Sequence, residues 1–123
     1  MAKILVVEDD FDARALIKSI LELSGFEVVL AADGVEGLEK TQEEKPDLIV
    51  TDLAMPRLDG IGMIRTLRDT LSFKRTPILA ITSFGMDRAM EAIRAGANRA
   101  LARPIQNHLV LVFVFDLLHL NMG

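Results

Sequence analysis

Acidic side chains follow two apolar, β-branched runs in this 123-residue chain. Glu8, Asp9 and Asp10 come directly after the first run, and Asp52 comes directly after another. Carboxylates that lie close together cannot all stay ionised unless a cation neutralises them. A ligand set made only of oxygen, without His or Cys, suits a hard ion such as Mg²⁺. If the two runs are neighbouring strands, these residues predict a magnesium site at Glu8, Asp9 and Asp52.

The acidic residues after the first run also have a simpler interpretation. Negative charge near the N-terminus of a helix is favourable because it faces the positive end of the helix dipole. For Asp10 and Asp12 this is the stronger interpretation. For Glu8, Asp9 and Asp52, which separate strands would bring together, the metal site is favoured. A flavin or nucleotide site is disfavoured, since it needs a Gly/Ser/Thr-rich cradle of backbone N–H groups in place of carboxylates.

Two further polar residues stand at the ends of later apolar runs. Thr82 ends one run, and Arg103 follows the next and precedes Pro104. A hydroxyl and a cation at the same edge are donors suited to the oxygens of a phosphoryl group attached to Asp52. Each signal is weak by itself, because Thr82 could simply end a strand and Arg103 could be a surface charge. Their placement after adjacent predicted strands is what supports a role at the site.

Short apolar runs alternate along the chain with stretches whose apolar residues recur at helical spacing. Strands are predicted at residues 4–7, 27–31, 48–51, 77–82 and 100–102. The first, third and fourth of these runs are continuously apolar, which is typical of strands buried on both faces of a sheet.

Local signals mark where the intervening helices begin and end. The first helix stops at Gly25, as a left-handed cap would. Asp33 and Glu36 have the reciprocal capping pattern of a helix start, the third helix is expected to begin near Asp59, and Asn107 is expected to cap the last. The apolar positions of the helices are Ala13, Leu16, Ile17, Ile20 and Leu21 in the first, Leu38 in the second, Met63, Ile64 and Leu67 in the third, and Ala89, Met90 and Ile93 in the fourth, which ends at Gly96.

Five strands that alternate with five helices predict an α/β fold, (βα)5, whose parallel sheet is covered on both faces. The handedness of the crossovers leaves few topologies, and the best fit is a doubly wound, flavodoxin-like sheet with strand order 2-1-3-4-5. In such a sheet the ligand crevice lies beyond the carboxyl ends of strands 1 and 3. The acidic residues follow these two strands, so the predicted fold and the predicted metal site agree.

Composition limits the classes of function. The length allows a single domain, residues 1–123, and leaves no room for a separate catalytic or DNA-binding module. The 14 Lys and Arg against 18 Asp and Glu give a net charge of −4, whereas nucleic-acid binding needs clustered positive charge. The absence of cysteine excludes disulfides, thiolate metal sites and Cys nucleophiles. No apolar stretch suits a membrane helix or, after Met1, a secretion signal, so we expect a cytoplasmic protein without membrane contact.

With these motifs in order, the chain resembles the receiver domain of two-component response regulators over essentially its whole length. Four correctly spaced segments carry the resemblance: Lys3 to Asp10, Pro46 to Pro56 with Asp59-Gly60, Pro77 to Ser83, and Ala95-Gly96-Ala97 leading to Arg103-Pro104. The resemblance implies a receiver domain over residues 1–123, with no output domain in this chain, that takes part in phosphorelay signal transduction.

The resemblance also implies a role for each residue of the crevice. Asp52 would be the phosphoacceptor, which takes a phosphoryl group from the phosphohistidine of a sensor histidine kinase or a phosphotransfer protein. Glu8, Asp9 and Asp52 would hold Mg²⁺, with the backbone carbonyl of Ala54 as a further ligand. Thr82 would be the switch hydroxyl that passes the signal to the surface of helix 4, strand 5 and helix 5. Beyond slow self-dephosphorylation, the domain would not be an enzyme.

Two positions depart from the family pattern. Arg103 stands where the family has a nearly fixed Lys, so a planar, permanently charged group replaces a compact ammonium. Ala100 stands where members usually have the aromatic residue that rotates with the switch hydroxyl. These departures leave open an alternative, an atypical receiver-like interaction domain with impaired phosphorylation or switching. A phosphohydrolase with an Asp nucleophile is disfavoured, because Ala54 replaces the second Asp that such enzymes generally use as acid and base.

The last predicted helix is unusually apolar. Its seven consecutive apolar residues, 109 to 115, would occupy every side of a helix, so a helix with one buried face would expose several of them. The residues expected to face the sheet are Val110, Val114 and Leu117. The candidate contact face consists of Leu109, Phe113 and Phe115. We therefore expect a homodimer or another partner to use helices 4 and 5. Two alternatives remain: the rest of a longer protein covers this face, or the β-branched segment pairs as a strand.

Overall fold

The computed structural model describes residues 2–55, 57–83 and 85–122, with side chains described up to residue 119; Met1, Pro56, Phe84 and Gly123 lie outside these ranges. Within them the strands are β1 (Lys3–Val7), β2 (Glu27–Ala31), β3 (Leu48–Asp52), β4 (Ile78–Thr82) and β5 (Arg99–Ala102). The helices are α1 (Phe11–Leu23), α2 (Gly34–Glu44), α3 (Gly60–Asp69), α4 (Gly85–Ala95) and α5 (Asn107–Met122), with a 3₁₀ turn at Leu71–Phe73. The strand ends differ from the predicted ones by one residue at most.

The strands form one parallel sheet in the order β2-β1-β3-β4-β5, which confirms the predicted α/β topology. Val7 of β1 lies opposite Ala31 of β2 and Thr51 of β3, and Asp52 of β3 lies opposite Ile81 of β4. Because the strands are parallel, their carboxyl ends form a single edge of the sheet. The segments that follow β1 and β3 are therefore neighbours in space.

Apolar side chains are buried on both faces of this sheet. Helices α1 and α5 cover one face, where Ile17 and Leu21 pack into the same core as Val110. Helices α2, α3 and α4 cover the other face, with Met63 and Ile64 at its centre. Each large apolar side chain that is fully buried stabilises the fold by roughly 1.5–3 kcal/mol relative to the exposed side chain. Among the described residues, no helix combines the length and the apolar character that a membrane span requires.

The predicted starts of α2 and α3 are confirmed, and the predicted cap of α5 is wrong. Asp10, Asp33 and Asp59 each accept a hydrogen bond, at 2.8 Å, from the backbone N–H three residues further on. Asn107 is instead the first residue of α5, and the carbonyl that accepts the first helical hydrogen bond belongs to Gln106. The helix thus begins one residue earlier than the Asn signal indicates.

Helix α4 does not bury all of its predicted apolar positions. Ala89 and Ala92 are buried, but Met90 and Ile93 are 46% and 38% exposed. The small alanine side chains allow the helix to lie close to the sheet, and this orientation turns the larger side chains toward solvent.

Helix α5 spans the segment for which a strand was considered, so that alternative is wrong. The predicted sheet-facing residues are buried: Val110, Val114 and Leu117. Within the predicted contact face, Phe115 is 51% exposed, whereas Leu109 is half-buried and Phe113 packs against the core. Val112, which the prediction omitted, is 48% exposed. Val112 lies on the side of the helix turned away from the sheet, Phe113 lies at the flank of the buried side, and the Phe115 ring packs against Phe26, with ring centroids 5.2 Å apart.

The segment between β3 and α3 is held at both of its ends. Gly60 N–H donates to the carbonyl oxygen of Leu53 at 2.9 Å. Arg57, in the left-handed region with φ 65°, forms an ion pair with Asp33 in which Nε lies 2.8 Å from Oδ2. The hydrogen bonds from this guanidinium hold the pKa of the Asp33 carboxyl below its usual value. These contacts fix the path of the chain immediately after Asp52.

We expect Gly60→Ala to lower the free energy of unfolding by about 3 kcal/mol, because the added Cβ would overpack a rigid part of the backbone. The Cβ would lie 2.3 Å from the carbonyl oxygen of Asp52 and 2.8 Å from Cα of Leu53. The control is Gly62→Ala on the same helix, where the nearest atom is the flexible Cδ1 of Leu58 at 2.8 Å. Its change should stay under about 1 kcal/mol. Urea unfolding measures both, and equal losses would contradict the prediction.

Candidate functional site

The carboxylates of Glu8, Asp9 and Asp52 meet at the carboxyl edge of the sheet. Glu8 directly follows β1, and Asp52 is the last residue of the neighbouring strand β3. One carboxylate oxygen of each residue lies within 4.8 Å of the other two. Glu8 is buried, Asp52 is half-buried and Asp9 is exposed, so the cluster is open to solvent on one side. The structure thus brings together the three residues that the sequence predicts as metal ligands.

Glu8 is the most buried carboxylate of the cluster, with an exposed fraction of 2%. Its Oε2 accepts a hydrogen bond from Asp10 N–H at 3.1 Å, and its Oε1 accepts one from Nη2 of Arg103. Burial disfavours the charged form and raises the pKa of Glu8 to about 7, and the Asp52 charge adds to this rise. The hydrogen bonds from Asp10 and Arg103 act in the opposite direction. The charged form of Glu8 therefore depends on nearby hydrogen-bond donors and cations.

The Asp52 carboxylate is held in place by the backbone of the next residue. Its Oδ1 accepts a hydrogen bond from Leu53 N–H at 2.8 Å and lies 3.8 Å from Nη2 of Arg103. Burial raises the pKa of Asp52 above its usual value, and the Leu53 N–H and the Arg103 charge limit the rise. Two adjacent carboxyl groups with raised pKa values indicate a site that a further cation would stabilise.

Arg103 reaches the cluster from the end of β5. Its backbone N–H donates to the carbonyl oxygen of Thr82 at 2.8 Å, which continues the pairing of β5 with β4. Its peptide bond to Pro104 is cis. Thr82 is completely buried as the last residue of β4. The open cleft at these strand ends is lined by Glu8, Asp9, Asp10, Ala13, Asp52, Ser83 and Arg103. The Arg103 guanidinium therefore lies in the cleft, as the sequence predicts. Ser83, the residue after Thr82, also lines the cleft.

The remaining predicted positions lie near the cleft or on its supporting elements. Ala54 is exposed two residues after Asp52. Ala100 of β5 lies opposite Ala80 of β4 and packs against the core. Its methyl group occupies the position at which the family pattern has an aromatic ring. Asp10 caps α1, as the helix-dipole interpretation predicts, and Asp12 lies in the first turn of that helix.

Two contacts of the cleft have no signal in the sequence. Arg14 Nη1 donates to the backbone carbonyl oxygen of Glu8 at 2.8 Å, although its position in α1 is that of an ordinary surface arginine. Arg103 pairs with the Glu8 carboxylate and lies further from Asp52, whereas the sequence prediction considered this cation only in relation to a phosphoryl group on Asp52. Both contacts depend on how the helix and the last strand meet β1.

The donor set fits a hard divalent cation. All three clustered side chains offer carboxylate oxygens, and the open side at Asp9 leaves room for water ligands, which Mg²⁺ usually retains. Burial is the main cause of the raised pKa values of Glu8 and Asp52, and a bound cation would stabilise the charged forms of both groups. The residues present therefore suit Mg²⁺.

Comparison with known proteins agrees with this arrangement. A family model described as the response regulator receiver domain matches residues 4–114. The polar-differentiation response regulator DivK of Brucella anthropi is 32% identical over 103 residues, which are 83% of this chain and 84% of DivK. The transcriptional regulatory protein PrrA of Mycobacterium tuberculosis is 39% identical over 102 residues, but the chain spans only 43% of PrrA.

A solved structure extends the comparison to the fold. The receiver domain of a sensor histidine kinase from Pseudomonas aeruginosa PAO1, crystallised with a magnesium ion coordinated in its active site cleft, has a TM-score of 0.90 and 28% identity. The alignment covers 96% of this chain and 98% of that one. The chain belongs to the response regulator receiver domain family. Receiver domains are signalling domains of two-component phosphorelays; they bind Mg²⁺ at an acidic pocket and interact with histidine kinases or phosphotransfer proteins.

Proposed function

We propose that this receiver domain accepts a phosphoryl group on Asp52 in a Mg²⁺-dependent reaction, with the phosphohistidine of a sensor histidine kinase or a phosphotransfer protein as the donor. The observation that carries the proposal is the convergence of Glu8, Asp9 and Asp52 at the sheet edge, with their carboxylate oxygens within 4.8 Å of one another. We further propose that the receiver domain extends over residues 1–123 and acts in the cytoplasm.

In the proposed reaction a carboxylate oxygen of Asp52 bonds to phosphorus while the P–N bond to the donor histidine breaks. A carboxylate is a poor nucleophile toward an anionic phosphoryl group, so the site must neutralise charge and hold the reactants in line. Glu8, Asp9, Asp52 and the backbone carbonyl of Ala54 would hold Mg²⁺, which supplies this neutralisation when bound. The Leu53 N–H, 2.8 Å from Oδ1, fixes the orientation of the Asp52 carboxylate.

Arg103 and Thr82 act in the proposal as donors to the phosphoryl oxygens. The Arg103 guanidinium is already inside the cleft, 3.8 Å from Oδ1 of Asp52, so the loss of the family's lysine does not remove the cation from the site. This position supports phosphorylation over the alternative of an interaction domain in which phosphorylation is impaired. Water that reaches the open cleft would slowly hydrolyse the aspartyl phosphate, which gives self-dephosphorylation and no further enzymatic activity.

The proposed output is a change at the surface of α4, β5 and α5. The aspartyl phosphate adds negative charge and strong acceptor oxygens, which would draw the Thr82 hydroxyl toward Asp52. Because Ala100 is a small side chain, the change would pass through the β4–α4 segment without an aromatic rotation. The exposed apolar side chains Met90 and Ile93 on α4 and Val112 on α5 would then form the contact face for a homodimer or another partner, whereas the Phe115 ring is turned toward Phe26.

The proposal is tested by incubating the protein with acetyl phosphate and Mg²⁺ and measuring its intact mass. We expect the mass of one added phosphoryl group, which EDTA prevents, and borohydride reduction followed by peptide mapping should locate the modification at Asp52. A protein that gains no phosphoryl group, or gains it with EDTA present, or carries it at another residue, would contradict the proposal.

A further inference from the structure

We propose that Arg103 is the resident counterion of the metal-free site, and that Mg²⁺ binds by displacing its guanidinium from Glu8. The inference rests on the proposed function to the extent that the cation of this site is Mg²⁺. It concerns a property of Arg103: its side chain offsets the buried charge of Glu8 before the metal binds and becomes available to a phosphoryl group on the phosphoacceptor afterwards.

The contacts of Glu8 support the first step of the inference, in which Arg103 is the counterion of this carboxylate. The carboxylate is 2% exposed, and a buried carboxylate requires a partner charge because desolvation is expensive. Within the described part of the chain, Arg103 is the one cation whose side chain contacts this carboxylate. Arg14 is close by, but it donates to the backbone carbonyl of Glu8 and leaves the carboxylate oxygens to other donors. Both carboxylate oxygens accept hydrogen bonds, Oε1 from Arg103 and Oε2 from the Asp10 N–H.

The second step follows from charge. Mg²⁺ held by Glu8, Asp9 and Asp52 would lie next to a guanidinium bonded to the same Glu8 carboxylate. Two cations at contact distance in a partly buried site repel strongly, since the interaction is only weakly screened there. The divalent ion gains three carboxylates while the guanidinium loses one, so the equilibrium favours release of Arg103 from Glu8 when Mg²⁺ binds.

The released guanidinium has a second acceptor within reach. Its Nη2 lies 3.8 Å from Oδ1 of Asp52 while it is still paired with Glu8. Its planar fork of N–H donors fits the oxygens of a phosphoryl group in a bidentate manner, which a lysine ammonium cannot do. Metal binding therefore frees the Arg103 guanidinium for the oxygens of a phosphoryl group on Asp52, and metal binding and the release of Arg103 are thermodynamically coupled.

The test is a Mg²⁺ titration monitored by isothermal titration calorimetry at about pH 8. We expect Arg103→Met to bind Mg²⁺ about tenfold more tightly than the wild type, because the competing cation is gone. Arg14→Met is the matched control: it removes a nearby positive charge that does not touch the carboxylates, and its affinity should change by less than about threefold. Equal changes in the two variants, or no change in Arg103→Met, would overturn the inference.

A second measurement uses the unmodified protein and does not depend on how a variant folds. In NMR spectra of the guanidinium groups, Mg²⁺ should shift the Arg103 Nε and Nη signals and speed up rotation about the Nε–Cζ bond, while the Arg14 signals stay nearly constant. Arg103 signals that stay unchanged when Mg²⁺ saturates the site would overturn the inference and leave the proposed function intact. If neither the wild type nor Arg103→Met binds Mg²⁺, both fall.

Discussion

Asp52→Asn is expected to abolish phosphorylation by acetyl phosphate, because the amide oxygen of Asn is not a nucleophile toward phosphorus at neutral pH. The substitution is nearly isosteric, and the Asn Oδ1 can still accept the Leu53 N–H that Asp52 accepts at 2.8 Å. The fold should therefore be retained. Removal of one charge from a cluster in which burial raises the pKa of Asp52 should leave the metal-free protein at least as stable as the wild type.

The matched control for this prediction is Asp47→Asn. Asp47 precedes β3, at the opposite end of the strand from Asp52, and its Oδ2 accepts the Lys3 N–H at 2.8 Å. This variant removes the same charge at a distance from the cleft, so phosphorylation should proceed at the wild-type rate. A phosphoryl group that still appears on Asp52→Asn, by intact mass, would mean that another residue is the acceptor.

The same variant separates a switching receiver from an interaction domain that does not switch. If phosphorylation controls the α4-β5-α5 surface, the affinity of this surface for its partner should change when the wild type is phosphorylated. The affinity of Asp52→Asn for the same partner should not change when acetyl phosphate is added. Equal partner binding by the wild type with and without acetyl phosphate, once phosphorylation is verified by mass, would favour the interaction domain.

Asp9→Asn is expected to lower both Mg²⁺ affinity and the phosphorylation rate by about 100-fold, because it removes one of three carboxylates from the cation site. Asp9 is the exposed member of the cluster, so its replacement should disturb the core little. The affinity is measured by calorimetric titration, and the rate is measured by the time course of the mass change at a fixed Mg²⁺ concentration.

Asp10→Asn is the control on the adjacent residue. Asp10 lines the same cleft and carries the same charge, but its carboxylate accepts the Ala13 N–H as the cap of α1. Asn is an equally good cap, and the general loss of negative charge is the same in both variants. Mg²⁺ affinity should thus fall by less than about threefold. Similar losses for Asp9→Asn and Asp10→Asn would indicate a diffuse acidic surface, with no defined ligand set.

Much of the fold was predictable because its signals are local. Continuous β-branched runs identify strands buried on both faces, and the Asp caps of α1, α2 and α3 depend on residues three positions apart. The alternation of strands and helices, with the handedness of parallel crossovers, then leaves few sheet orders. The metal cluster follows from that order, since acidic residues directly after β1 and at the end of β3 must meet once these strands are neighbours.

The burial of helix faces was predictable only in part. In α4, helical spacing does not reveal that the alanine side packs against the sheet and leaves Met90 and Ile93 exposed. In α5, seven consecutive apolar residues leave the orientation of the helix undetermined. The contact face was therefore assigned to Phe113, which packs against the core, and Val112 was missed. Helix rotation is set by the shape of the sheet surface that the helix covers, which is not encoded in the helix alone.

The sequence by itself determined which side chains this protein brings to the cleft: the carboxylates, the Thr82 hydroxyl and the Arg103 cation all follow predicted strands. Tertiary structure alone decided how they pair. Arg103 and Glu8 are 95 residues apart along the chain, and their contact depends on the reach of a long side chain across the ends of β1, β3, β4 and β5. The physical reason is that strand order brings residues to an edge, whereas burial and the competition among nearby charges select the partner of each one.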